Sequence, residues 1–147
     1  EARYRRPLAG LYRDDGAAHL TLRPTEVVAA VHVPAPKPGT TSAYRKLRLR
    51  GAMDFPLAGV AVALRLDGAV LTELAVGLTG TNSRPLRLEV TDALLGHAVD
   101  GTLLDALGKL VRKQVSPMRS TVTPSNHRRL VAVAAAQRLV RELAGRA

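Results

Sequence analysis

The chain has 147 residues, 46% of them hydrophobic and 23% charged, a composition that fits a folded domain and excludes a disordered or collagen-like chain. No apolar run reaches the ~20 residues that cross a bilayer as a helix, and without cysteine there is no disulfide, thiolate zinc site or iron–sulfur cluster on this chain. The net charge of +10 attracts polyanions, but Tyr4, Tyr12, Tyr44 and Phe55 are too few aromatics for a base-stacking platform, and the cations spread along the whole chain.

The first residues, Glu1-Ala2-Arg3-Tyr4, include no Met and no apolar stretch, so they read as the interior of a longer protein or a trimmed one rather than as a signal peptide. Residues 18–22 and 27–33 are short, β-branched or alternating, and are split by Arg23-Pro24-Thr25-Glu26; two short strands are predicted. So few large apolar side chains cannot bury a core alone, and this arm, residues 1–33, is expected to pack on something outside itself. Residues 34–42 hold three prolines and a glycine and read as a stiff surface connector.

Residues 43–147 then form the compact unit. Residues 44–50 alternate, with Tyr44, Lys46, Arg48 and Arg50 on one face and Leu47 and Leu49 on the other. Val60, Val62, Leu64 and Leu66 mark a second strand, and Val70 through Leu78 a third, joined at a hairpin containing Asp67-Gly68. A three-residue loop with Gly68 left-handed, pairing Leu64 with Thr72 and Val62 with Leu74, keeps both apolar series on one face; a two-residue Asp67-Gly68 turn does not. Leu86-Arg87-Leu88 adds a short edge strand, and residues 91–95 a turn stopped by Gly96.

Asp100 is placed to cap a helix whose Leu103, Leu107, Leu110 and Val111 share a face, with cations near its C-terminal end. Thr123 as cap and Pro124 at the first helical position predict a last helix to about Gly145, buried along Leu130, Val133, Ala136, Val140 and Leu143. The small side chains of residues 132–136 let a neighbour approach closely. The fold class expected is α+β: a three-stranded antiparallel sheet packed against about three helices, preceded by the β arm.

No catalytic set assembles from spacing. His19, His32, His97 and His127 are scattered, the serines and threonines sit in turn-like segments without a GxSxG elbow, and neither GxGxxG nor a Walker A sequence occurs. The informative stretch is Tyr44 to Leu57. One aromatic and three cations on a strand face suit a planar or anionic ligand, although periodicity alone favours a solvated face, and a lone Phe55 before a buried strand reads as core.

The run Ser42-Ala43-Tyr44-Arg45-Lys46 to Asp54-Phe55-Pro56 resembles the start of the C-terminal domain in FAD-binding subunits of molybdenum hydroxylases, the xanthine dehydrogenase and carbon monoxide dehydrogenase group. The resemblance continues through Gly80-Thr81-Asn82-Ser83-Arg84-Pro85, Asp92-Ala93-Leu94-Leu95-Gly96, and Ser116-Pro117-Met118-Arg119-Ser120-Thr121 to Asn126-His127-Arg128-Arg129-Leu130, and ends with Gln137-Arg138-Leu139-Val140. Leu11-Tyr12-Arg13-Asp14-Asp15 and Leu22-Arg23-Pro24 resemble the end of the preceding flavin domain. Within the group the chain looks most like the flavin subunit of 4-hydroxybenzoyl-CoA reductase.

The resemblance implies a cytoplasmic multisubunit oxidoreductase in which this chain, not itself catalytic, completes the FAD site. The glycine-rich FAD loops would lie in an N-terminal flavin domain. A large subunit would carry the molybdenum cofactor and a small subunit [2Fe-2S] clusters. By the same resemblance Phe55 flanks the isoalloxazine ring with Asp54 as its polar neighbour, Lys46 lies near the ring edge, and Tyr44 packs beside the cofactor or the connector. Two positions depart from the pattern: Thr72 stands where some relatives have lysine, and His127 where many have tyrosine. Two other readings stay open. One is a basic, non-catalytic module for nucleic acid or an acidic protein; the other is a structural interaction domain whose Phe55 and Asp54 face no cofactor.

Overall fold

The computed structural model describes residues 3–51, 53–118 and 123–145; the Arg119-Ser120-Thr121 part of the resemblance lies outside the described residues. Four antiparallel strands form one sheet in the order β1 (Thr40–Leu47), β2 (Ala58–Asp67), β3 (Val70–Thr79) and β4 (Leu86–Arg87). Two helices, α1 (Gly101–Gln114) and α2 (Ser125–Ala144), complete the α+β fold. The fourth strand is the short edge read at Leu86 beside the three longer ones; Leu86 pairs with Leu78 and Arg87 with Gly77.

The hairpin closes differently from the expected three-residue loop. Asp67 pairs with Val70 across Gly68-Ala69, with Gly68 left-handed at φ 56°, and the register then slips between Arg65 and Leu66. Val60, Val62 and Leu64 consequently face Leu78, Val76 and Leu74. A two-residue turn alone would set the apolar series on opposite faces; the bulge at Thr72 supplies the missing residue and restores the phase. The Thr72 hydroxyl donates to the Arg65 carbonyl at 3.0 Å, so threonine in place of lysine serves the bulge.

Alternation in β2 and β3 buries one face of the sheet, and α2 lies across β1 and β2 on that side. α1 packs against α2 and against the 3₁₀ turn at Thr91–Leu94. Asp100 caps α1 as expected, accepting from the Leu103 N–H at 2.9 Å. The α2 cap differs: Pro124, not Thr123, is the N-cap residue, extended at ψ 146°, and its carbonyl accepts from Arg128 N–H at 3.3 Å. The buried stripe of α2 is also rotated from the one expected. Ala132, Ala135, Ala136, Leu139, Val140 and Leu143 are buried, whereas Leu130 is exposed. Small side chains face inward because α1 comes close: a Cβ on Gly108 would lie 2.6 Å from Gln137 Nε2 and 3.2 Å from Val133 Cγ1.

β1 starts at Thr40, inside the expected connector, and ends at Leu47 rather than at Arg50. Gly39, at φ 77°, turns the chain so that Thr40, Thr41 and Ser42 pair with Arg65, Leu64 and Ala63. Lys37 and Arg65 both reach Glu73, at 2.7 and 2.6 Å, and pin the connector to the sheet. Arg45, on the helix-facing side, reaches Glu142 of α2 at 2.9 Å.

The arm forms neither of the two predicted strands. It holds a 3₁₀ turn at Leu8–Leu11 and a single bridge between Tyr12 and Leu20, while residues 27–33 have no ladder partner among the described residues. Val27, Val28, Val31 and Val33 are exposed. A strand needs a neighbour for its N–H and C=O groups, and the described residues offer none here. Near its start the arm is clamped by Glu26, which accepts from Tyr4 Oη at 2.6 Å and from the Arg23 N–H at 2.8 Å and guanidinium.

Two outcomes test these contacts. Alanine at Gly108 gains ~1 kcal/mol of helix propensity and loses about as much if Gln137 leaves the Leu104 carbonyl, so it decides little. Gly108→Val, too large for the gap, is expected to destabilise by about 1–3 kcal/mol in urea unfolding; an unchanged midpoint would mean the helices do not meet there. The Arg23 N–H, the Tyr4 hydroxyl and the Arg23 guanidinium lower the pKa of Glu26 from 4.5 to about 2. Its clamp is therefore complete above 4.5 and lost as pH falls through about 2. NMR titration of the Glu26 carboxyl checks this, and a midpoint near 4.5 would contradict it.

Candidate functional site

Three loops meet at the end of the sheet where β1 stops. The first, residues 48–57, leaves β1 and returns to it, with Leu57 N–H donating to the Leu47 carbonyl at 2.7 Å. Asp54 closes it from within, accepting from the Arg50 N–H at 3.0 Å and the guanidinium at 3.3 Å. Those two interactions, the backbone bond first, lower the Asp54 pKa. Met53 is left-handed at φ 46°, a conformation that costs a non-glycine residue about 1–3 kcal/mol. Phe55 is 91% exposed and Met53 99%. Phe55 is therefore exposed, not the core residue that a lone Phe before a buried strand suggests.

The second loop follows β3. Gly80, at φ 74°, lets Pro56 lie on it: a Cβ there would sit 3.1 Å from the proline Cγ. Asn82 donates to the Gln114 carbonyl at 3.3 Å and accepts from the Ser116 N–H at 3.1 Å, tying this loop to the third, which follows α1. Ser83 N–H donates to Asp14 of the arm at 3.2 Å. Met118 of the third loop is 69% exposed.

Arg128 joins all three loops. Its Nη2 donates to the carbonyls of Gly80 at 2.9 Å and Pro56 at 3.0 Å; Nε and Nη1 reach Leu57 and Met118 more weakly, both at 3.3 Å. Only a planar guanidinium fork can serve acceptors spread this way. Arg129 donates to the Val115 carbonyl at 3.3 Å beside it. Sequence reading gave neither arginine this role, yet a signal was present. Both lie near the start of α2, where the helix dipole disfavours cations and no acid offsets them.

The four residues expected at the site divide into two groups. Phe55 and Asp54 share the first loop, Phe55 outward and the Asp54 carboxylate turned back to Arg50. Tyr44 and Lys46 stand on the open face of the sheet, Lys46 in the row with Gly59 and Thr79 and Tyr44 in the row with Ala61 and Gly77. Tyr44 leans over Gly59, where a Cβ would approach its hydroxyl to 2.8 Å, and borders a shallow trough of ≈ 580 Å³ shared with Ala61, Ala75, Gly77 and Arg87. His127 is exposed. Among the described residues no three His, Asp or Glu side chains gather as metal ligands, and no helix is long and apolar enough to cross a membrane.

Residues 42–143 match the CO dehydrogenase flavoprotein C-terminal domain family. The chain belongs to that family. The carbon monoxide dehydrogenase medium chain of Afipia carboxidovorans is 30% identical over 133 residues, which are 90% of this chain and 46% of that one. A xanthine dehydrogenase FAD-binding subunit of Escherichia coli is 28% identical over 116 residues, 78% of this chain and 39% of the relative. Among solved structures, a cyanide-inactivated Cu,Mo-CO dehydrogenase matches 95% of this chain and 48% of its own with TM-score 0.85 and 29% identity. The chain thus spans less than half the length of these relatives. The family match takes in the sheet from Ser42 onward, nearly all of α2 and all three loops joined by Arg128.

The second loop carries one orphan: the Thr81 hydroxyl is buried without a hydrogen-bond partner among the described residues. An unpaired buried hydroxyl costs about 1–3 kcal/mol, and an apolar residue of the same shape removes that cost. Thr81→Val is therefore expected to be neutral or to stabilise by up to about 1 kcal/mol in denaturant unfolding. A clear loss of stability would show that the hydroxyl is satisfied in solution.

Proposed function

We propose that this chain is the C-terminal part of the FAD-binding subunit of a molybdenum hydroxylase complex, and that the three-loop rim completes one wall of the flavin site. The observation that carries this reading is the convergence of segments far apart in sequence, 80–85, 116–118 and 128–129, on the one loop that exposes Phe55. These are the segments through which the chain resembles such subunits. The names of the relatives, a medium chain and an FAD-binding subunit, point the same way.

The residues present suit one part of the cofactor. Met53, Phe55 and Met118 are exposed apolar side chains of the first and third loops and suit a flat ring. Asp54, held by Arg50, shapes the loop that presents Phe55. Lys46 is the last residue of β1 on the open face, at the base of that loop with Tyr44 one row further in, a position that suits a cation near the ring edge. The pyrophosphate belongs to glycine-rich loops of an N-terminal flavin domain. When bound, FAD exchanges electrons with an external carrier and with iron–sulfur clusters; the protein contributes position and electrostatics. The partners are that flavin domain, a large molybdenum-cofactor subunit and a small [2Fe-2S] subunit, in a cytoplasmic complex. The finer reading, a 4-hydroxybenzoyl-CoA reductase-like enzyme acting on a thioester, rests on the motif likeness alone.

In the assembled complex, Phe55→Ala is expected to change the visible circular dichroism of bound flavin and to slow its reoxidation about tenfold, since catalytic geometry tolerates little displacement. Lys46→Ala is expected to lower the flavin potential by removing a nearby positive charge. A flavin unchanged by both substitutions would overturn the reading. A colourless native pull-down rich in nucleic acid, released steeply by salt, would instead favour a basic binding module. Turnover of 4-hydroxybenzoyl-CoA but not of CO or xanthine would establish the finer reading, and the reverse would reject it.

A further inference from the structure

The geometry points to Arg128 as the positioning residue of the flavin wall: its guanidinium sets where Phe55 stands. This rests on the reading of the rim given above and adds the device that fixes it. Two of its four acceptors, Pro56 and Leu57, directly follow Phe55 in the chain, and a third, Gly80, is the residue on which Pro56 lies. One nitrogen, Nη2, bridges the Pro56 and Gly80 carbonyls. The loop's other fastenings act elsewhere. Asp54 and Arg50 close it internally, and the Leu57 bond fixes its return to β1 without fixing how far the turn leans toward β3. Arg128 alone, among the described residues, ties the backbone after Phe55 to both other loops.

Charge supports the same role. Among the described residues no carboxylate pairs with Arg128, so its four bonds go to neutral carbonyls and its positive charge stays unneutralised by an acid. A cation near the start of α2, against the helix dipole, is offset here by carbonyls gathered from three loops. Lysine keeps the charge but cannot bridge acceptors in this fork geometry.

The test uses the assembled flavin-containing complex carrying Arg128→Lys, Phe55→Ala and the two together. Arg128→Lys is expected to speed amide hydrogen exchange at Asp54, Phe55 and Leu57, to alter the visible circular dichroism of the flavin and to slow flavin reoxidation about tenfold. If Arg128 acts through Phe55, the double variant is no slower than Phe55→Ala alone. Should Arg128→Lys fail to assemble, Gly80→Ala, whose Cβ would crowd the Pro56 ring and the carbonyl that Arg128 holds, carries the same comparison. Effects that multiply in the double variant would overturn the positioning role. So would a flavin that Phe55→Ala perturbs and Arg128→Lys does not. If neither substitution touches the flavin while exchange still quickens, the flavin-wall reading itself has failed and the positioning role falls with it.

Discussion

The phase of the β2–β3 hairpin governs the rest of the molecule. Val60, Val62 and Leu64 lie opposite Leu78, Val76 and Leu74 only because one extra residue at Thr72 corrects a two-residue turn. A strand's side chains change face with every residue, so without the bulge half of the core would point to water. Given the correct phase, one face of the sheet is continuously apolar and α2 can lie along it. The alanines of α2 then let α1 close over the same core, with Gly108 at the crossing.

That core holds the strand ends still, and the loops beyond them inherit the rigidity. Among the described residues of the rim, polar contacts set its shape. Asn82 uses its amide and carbonyl on two different partners, Asp54 turns on Arg50, and Arg128 gathers carbonyls. The division is sensible physically: dispersion and apolar burial fix the scaffold without direction, whereas hydrogen bonds fix the angle at which a side chain such as Phe55 is offered. Strain at Met53 belongs to the same arrangement, since a left-handed methionine persists only where its surroundings over-determine it.

Much of this was legible beforehand, and the failures have physical causes. Alternation identified β2 and β3, Asp100 announced α1, and Gly68 marked the turn, because each is a local signal. The register was missed because a bulge and a longer loop satisfy the same facial constraint, and sequence cannot choose between them. In α2 the sequence pattern places Ala136, Val140 and Leu143 inside as found, but Leu130 is exposed and Ala132 and Ala135 are buried, because close packing of α1 favours small side chains at the contact. At the site, Phe55 and Asp54 were placed in one loop, but the exposure of the first and the inward turn of the second depend on tertiary contacts. Arg128 stands in one of the runs that resemble the family and against the helix dipole, but neither feature shows which carbonyls it gathers.

The valines of residues 27–33 carry a different consequence. They present apolar side chains together with backbone groups that have no ladder partner among the described residues. Such a strip is a template for any other extended chain, including a second copy of itself. Its safest history is to be covered as soon as it is made, so the order of synthesis and assembly matters as much for this protein as its final contacts. A chain left with that strip uncovered would be drawn toward aggregation, however well its sheet and helices are packed.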